Sequence, residues 1–337
     1  MSQATSTTTT PDVGTSSGSV TRKAGVVGRA LIEATKPGIT RLVTITALAG
    51  YLLTELGRST GAGTGAGAGG VVWGEQIVTV AGLIVGTAAA AGGANALNQW
   101  MEADRDARMH RTAGRPIPSG RVEGRSVALL GVVLTLVSVV VLLATAGTAA
   151  ALIALASAAL YLFVYTPSKP LTVWNTLIGA VPGALPPMIG AAAAARGEGL
   201  SAVFEPVGLS LFALMIVWQL PHFMAIAWMY RDDYARGGYR MLPSVDRRGV
   251  VTAWVIALTT ILLLPASVLP AVVDRGVLGW GSIVVALGTG TAFAAIASRL
   301  VARPSVARAR QVFIASIIHL PVLLLGFGID AVVGLIW

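Results

Sequence analysis

Asn98, Glu102 and Asp106 stand four residues apart in the stretch Asn95-Ala-Leu-Asn98-Gln-Trp-Met-Glu102-Ala-Asp104-Arg-Asp106. In an α-helix each such step is ~400° of rotation and ~6 Å of rise, so the three oxygen-bearing side chains form a slowly drifting ladder on one face. Asp104 falls off that face and reads as a solvated residue. A ladder of oxygen ligands suits a hard cation such as Mg²⁺, which keeps several waters and shares its remaining positions with phosphate. Arg111 and Arg115 come immediately after. Their guanidinium forks match phosphate oxygens. Together these residues describe a Mg²⁺–diphosphate site.

A second loop repeats the pattern. Arg111-Thr-Ala-Gly-Arg115-Pro-Ile-Pro118-Ser119 and Arg236-Gly-Gly-Tyr-Arg240-Met-Leu-Pro243-Ser244 place arginine, arginine, proline and serine at matching intervals. Asp106 precedes the first loop; Asp232 and Asp233 precede the second. Two acidic-then-basic loops facing one cleft are what a doubly metal-clamped diphosphate needs.

Two histidines lie in apolar surroundings, within Trp218-Gln219-Leu-Pro221-His222-Phe223 and His319-Leu-Pro321. A lone histidine on an apolar face is usually a satisfied core residue. Two at similar depth beside prolines point to a cofactor pocket, where neutral imidazole ligates haem iron or bonds a propionate.

The elements that carry these groups are membrane helices. Of the 337 residues 55% are hydrophobic and only 12% charged, with a mean hydropathy of +0.76. Apolar runs long enough to cross ~30 Å of hydrocarbon recur along the chain. Nine spans are expected, near 39–56, 77–100, 126–146, 149–165, 172–195, 205–230, 250–272, 278–298 and 311–335. The fold class is therefore an all-α polytopic membrane protein, nine transmembrane helices around a central cavity. Residues 1–30 are expected to be a disordered cytoplasmic tail ahead of a single domain, 31–337, and the Gly-rich run 59–70 a flexible loop. The turn near 146–149 is so short that spans 3 and 4 must be antiparallel neighbours. Gly82, Gly86, Gly92, Gly93, Gly179 and Gly183 are expected to let helices pack closely.

With the amino terminus inside, only Arg58, Arg196 and Arg275 of the 24 lysines and arginines fall outside. That asymmetry fits the positive-inside rule and puts the carboxyl terminus outside. The net charge of +9 thus reports orientation, and nucleic-acid binding is not needed to explain it. With no cysteine, thiolate metal sites and disulfides are excluded.

The motif Asn98-xxx-Glu102-xxx-Asp106-xx-Met109-x-Arg111-Thr112-xx-Arg115-Pro116 resembles the first signature of the UbiA superfamily of intramembrane prenyltransferases. Trp218-Gln-x-Pro221-His222-Phe223 and Asp233-Tyr-x-Arg-Gly-Gly resemble the second region of its haem-farnesylating members; Lys36-Pro37, Tyr165-Thr166 and Gly183-Ala-x-Pro186-Pro187 match smaller signatures. The resemblance implies transfer of farnesyl from farnesyl diphosphate to a vinyl of haem b, with a hydroxyl added. It implies Mg²⁺ on Asn98, Glu102 and Asp106, with Asp232 or Asp233 at a second site. Arg111, Arg115 and Lys169 would neutralise the diphosphate, and His222 would belong to the haem end; Trp218, Gln219, His319 and Arg41 are further expected cofactor-binding residues, and Asp233 a further expected metal ligand. It also implies a bacterial inner membrane, lipid contact, and haem A synthase or terminal-oxidase assembly factors as partners. Where the superfamily pairs two aspartates four apart, this chain has Met229 and Asp233.

Two other functions compete. A quinone-type or other aromatic acceptor is one. A transporter of anionic lipid-like solutes is the other; it needs polar groups along both leaflets, whereas here they gather on one side.

Overall fold

The structure is a computed structural model that describes residues 16–59 and 73–336. Most of the expected flexible loop and the first half of the expected tail lie outside those residues. Among the described residues nine helices are long and apolar enough to cross a membrane. They are Pro37–Ser59, Gly74–Met101, Gly124–Thr145, Thr148–Ser168, Asn175–Ala194, Pro206–Met229, Val250–Val273, Trp280–Ala302 and Val306–Gly334, here spans 1 to 9. They match the expected boundaries to within a few residues, and the chain is a multi-pass membrane protein.

Neighbours in sequence are mostly neighbours in space, and contacts of span 9 with spans 1 and 6 close the ring. One apolar cluster joins spans 6 to 9, and another joins spans 1 to 5. Small residues set the close approaches. A Cβ on Gly50 would run into Pro187 O, and one on Gly190 into Ala47 O, so spans 1 and 5 meet backbone to backbone. A Cβ on Gly82 would collide with Thr145 Oγ1, and one on Gly93 would lie 2.8 Å from Gly131 O, which brings spans 2 and 3 together.

Helix breaks occur where the site needs them. Span 5 consists of Asn175–Ala184 and Pro186–Ala194, separated at Leu185 by the paired prolines. Proline lacks the N–H of the helical ladder but suits a helix start, so a second segment begins at Pro186. Span 4 ends in a π-helical turn, Leu160–Tyr165, succeeded by Thr166 and Pro167. Such turns carry an extra residue and re-aim the segment beyond them, here the one that bears Lys169.

Order begins earlier than residue 31. A helix runs from Ser16 to Ala34. Its Ala30 and Ala34 pack against Ala96, Val122 and Val127, while Val26 and Ile32 stay exposed.

Candidate active site

Span 2 ends at Met101, Glu102 makes a turn (φ −101°, ψ 6°), and a short helix Ala103–Asp106 comes next. Bonds from Glu102 N to Asn98 O (3.0 Å) and Asp106 N to Glu102 O (2.8 Å) carry the helical rise across this break. The ladder therefore survives. Asn98, Glu102 and Asp106 are 1, 5 and 2% exposed. Asn98 Nδ2 donates to Glu102 Oε2 and to Thr166 Oγ1, each at 3.0 Å.

Each rung meets a cation. Lys169 Nζ lies 2.7 and 2.9 Å from the two Glu102 oxygens and 4.6 Å from the Tyr165 ring centre. Burial opposes ionisation of Glu102, but the Lys169 ammonium, helped by Lys36 and Asn98, holds its carboxyl below the usual range. Burial likewise opposes the Lys169 charge, yet Glu102 raises its pKa. Arg115 donates to Asp106 Oδ2 at 2.5 Å. Lys36 Nζ donates to Asn98 Oδ1 at 3.1 Å.

In the sequence Lys36 stands out only as part of a signature; the structure brings it into the site. Its φ of 49° makes it the one non-glycine residue in the left-handed region among the described residues. Such a conformation costs on the order of 1–3 kcal/mol, and persists where the surroundings over-determine it. Pro37, which opens span 1, disfavours the right-handed helical conformation at the residue before it. Burial first, then repulsion from Arg115 and Lys169, lowers the Lys36 pKa to about 7.

The second loop closes over the first. Asp233 Oδ1 accepts His110 N (3.0 Å) and Oδ2 accepts Arg111 N (2.9 Å), while Arg236 pairs with Oδ1. Burial resists the Asp233 charge, but Arg236 and the two backbone donors win and lower its pKa to about 2. Arg105 donates to Gly237 O at 3.1 Å. Arg240 N donates to Lys169 O at 2.8 Å, and Asn175 Nδ2 to Arg240 O at 3.0 Å. Spans 2 and 6 thus end in one cluster, as the paired loops require. The repeat is not carried into side-chain partners: Ser119 Oγ donates to Arg115 O, but Ser244 Oγ donates to Arg231 O.

The remaining expected site residues are spread more widely. Arg111 lies at the rim, 4.8 Å from the Tyr230 ring centre and bonded to the Tyr234 hydroxyl at 3.1 Å. Asp232 faces away from the cluster, with its side chain 86% exposed; neighbours on a helix diverge by ~100°, so only one of two adjacent acids can face the loop. Arg41 is exposed and bonds back to Pro37 O at 3.4 Å. Lys36, and not Arg41, reaches the ladder. Trp218 Nε1 donates to Ser316 O at 3.0 Å and joins span 6 to span 9. Gln219 donates to Ala180 O (3.3 Å) and Met215 O (3.0 Å), joining span 6 to span 5. His222 stacks on Trp218 with ring centres 4.9 Å apart, and its Nδ1 lies 2.7 Å from Ser316 Oγ. Ser316 Oγ already donates to Phe313 O at 2.6 Å, so it accepts from Nδ1–H and leaves the Nε2 lone pair free. His319 does not join it. Its Nε2 lies 3.5 Å from Ser267 Oγ, and its ring packs on Phe293, between spans 7 and 8.

The donor set fits a hard divalent ion: two carboxylates and an amide oxygen on one face, the chemistry Mg²⁺ prefers. The Tyr239 ring lies beside the same group, its centre 5.6 Å from the Arg105 guanidinium carbon and 5.8 Å from Lys169 Nζ.

Comparisons with known proteins place the chain in a family. The family model described as UbiA prenyltransferase family matches residues 43–320. A protoheme IX farnesyltransferase of Solibacter usitatus (strain Ellin6076) is 40% identical over 296 residues, covering 88% of this chain and 96% of that one. Another, of Opitutus terrae, is 41% identical over 300 residues, covering 89% and 93%. A solved digeranylgeranylglyceryl phosphate synthase matches 92% of this chain and 99% of its own with a TM-score of 0.69 at 15% identity. A UbiA homologue from Archaeoglobus fulgidus bound to DMAPP and Mg²⁺ matches 86% and 99% at a TM-score of 0.53 and 11% identity. At those identities the solved structures speak for the fold alone. The chain belongs to the UbiA prenyltransferase family.

Proposed function

We propose that this protein transfers the farnesyl group of farnesyl diphosphate to a vinyl group of haem b, giving haem O and pyrophosphate. The buried ladder carries the proposal: two acids and an amide, each met by a cation, at the inner mouth of an apolar bundle. The names of relatives about 40% identical over nearly the whole chain support haem b as acceptor.

In this reading Lys169, Arg115 and Lys36 hold diphosphate oxygens, and Arg111 stands at the rim. Bound at Asn98, Glu102 and Asp106, Mg²⁺ supplies Lewis-acid neutralisation of the leaving group. The C1–O bond breaks with its electron pair on the diphosphate. Burial of the site keeps water from the allylic cation. The haem vinyl forms the new bond to C1; the resulting cation takes the oxygen of a water, whose proton is released. Atoms and charge balance: haem b, farnesyl diphosphate and water give haem O and pyrophosphate. His222 lies seven residues above the inner end of span 6, ~10 Å into the bundle, and belongs to the acceptor side.

The protein sits in a bacterial plasma membrane with its site toward the cytoplasm, amino terminus inside and carboxyl terminus outside. A haem A synthase or an oxidase-assembly factor is its expected partner. The test offers purified protein farnesyl diphosphate and Mg²⁺ with haem b or 4-hydroxybenzoate in parallel, and identifies products by mass. Farnesylated hydroxyhaem is expected. Prenylated benzoate alone would move the protein to the aromatic-acceptor branch.

A further inference from the structure

His222 is held by two helices at once. Its ring stacks on Trp218, one turn earlier on span 6, with centres 4.9 Å apart and planes 19° apart. Phe223 and Phe313 add to the surround, at 5.4 and 5.2 Å between centres. Span 9 supplies Phe313 and also Ser316, which is wholly buried. Ser316 engages both members of the stacked pair. Its carbonyl oxygen accepts Trp218 Nε1 at 3.0 Å, and its Oγ lies 2.7 Å from His222 Nδ1. The stack fixes the plane of the imidazole, and the Ser316 contact fixes which nitrogen points at span 9.

Counting hydrogens then assigns the tautomer. A hydroxyl has one hydrogen to give. That of Ser316 goes to Phe313 O at 2.6 Å, the shorter of its two contacts. Oγ therefore meets the imidazole with lone pairs and needs an N–H from it. Neutral imidazole carries a single N–H; with that proton on Nδ1, Nε2 is an acceptor. An acceptor nitrogen binds a metal and repels a carboxylate. Two uses of this histidine at haem are thereby separated: Nε2 cannot donate to a propionate, but it can ligate iron. We infer that Ser316 is a positioning residue for the acceptor, holding His222 in the Nδ1–H tautomer so that Nε2 ligates the iron of haem b. A partner on the far N–H of a ligating histidine sets ring orientation and raises ligand basicity. Anchored at its iron, the macrocycle keeps one placement toward the prenyl chain. This rests on the reading of haem b as acceptor and adds what holds it.

Resonance Raman spectroscopy of the full chain in nanodiscs, loaded with ferrous haem b, reads the iron–histidine stretch, and steady-state kinetics reads its use. The wild-type protein should show the stretch. His222→Gly should lose it, and added imidazole should bring it back. Ser316→Ala should move it to lower frequency and raise KM for haem b about 10-fold, the low end of what losing such a partner costs. The loss should appear in KM rather than in kcat, since an anchor on the iron binds substrate and transition state alike. Alanine keeps the backbone carbonyl that takes Trp218 Nε1, so the join between spans 6 and 9 survives. Ser316→Thr keeps the acceptor oxygen and should keep the wild-type frequency. A serine that only packs would change the melting temperature and leave the stretch in place. An unshifted stretch in Ser316→Ala, or a stretch that survives in His222→Gly, overturns the inference. Haem O made by a wild-type protein that lacks the stretch overturns it as well and leaves farnesyl transfer standing. The stretch without any haem O supports the ligation and overturns the transfer.

Discussion

Replacing Glu102 by glutamine separates the structural from the chemical use of one carboxylate. Glu102 accepts Lys169 Nζ at 2.7 and 2.9 Å and Asn98 Nδ2 at 3.0 Å, and the two side chains of the ion pair are 10% and 7% exposed. Glutamine keeps the shape but leaves the Lys169 ammonium buried without a counter-charge. Breaking a buried pair from one side costs about 3–5 kcal/mol of stability. Loss of one electrostatic partner of the developing leaving-group charge lowers turnover by about 10²–10³-fold. The double variant Glu102→Gln with Lys169→Gln removes both charges, so most of the stability should return, since neutralising both partners of a buried pair is often harmless. Turnover should stay low. The assay pairs thermal unfolding in detergent with chromatography of extracted haems after incubation with farnesyl diphosphate. Haem O formed by Glu102→Gln at more than a tenth of the wild-type rate would refute the role given to the ladder. A double variant no more stable than the single one would refute the ion-pair argument.

The same geometry sets other outcomes. Lys36 has its pKa lowered to about 7, so it is charged below that pH and neutral above it; kcat/KM for farnesyl diphosphate should fall as pH rises through 7, and Lys36→Arg should flatten the fall. Because kcat/KM reports the free enzyme, a wild-type profile flat from pH 6 to 9 would contradict this. His222→Ala should abolish haem O formation and alter the Soret band of bound haem while leaving magnesium pyrophosphate affinity within a factor of about two; an unaltered spectrum would remove His222 from the acceptor side. Asp233→Asn should loosen the Arg111 loop, seen as faster backbone hydrogen exchange at 107–115, since one of its oxygens becomes an N–H₂ facing N–H donors. Gly190→Leu should prevent stable folding, because even a Cβ there collides with Ala47 O; a variant melting within a few degrees of wild type would mean that spans 1 and 5 do not meet as described.

The ladder is legible in the sequence because its evidence is local. Polar groups four apart at the end of an apolar run need only helical periodicity to be placed together, and that period survives the break at Glu102. The meeting of spans 2 and 6 is legible from the repeated loop pattern. Residue orientation at element ends is not. Lys36 and Arg41 lie five apart at the start of span 1, and nothing short of the left-handed turn at Lys36 says which reaches Asn98. Asp232 and Asp233 are adjacent, and the onset of the helix Arg231–Arg236 decides which one faces His110 and Arg111. His319 matches His222 in depth and in its neighbouring proline, but depth fixes no azimuth, and its face of span 9 turns to Ser267 and Phe293. Tyr239 gives no signal, since its place depends on a loop reaching back to Lys169.

At the centre of the proposed reaction a divalent ion and the cations Lys36, Arg115 and Lys169 pull a diphosphate off a prenyl chain inside the bilayer. Membranes containing the protein, given haem b and farnesyl diphosphate, should form haem O in step with added Mg²⁺, stop when a chelator is added in excess, and resume when the ion is restored. Haem O formed at an undiminished rate in excess chelator would contradict it.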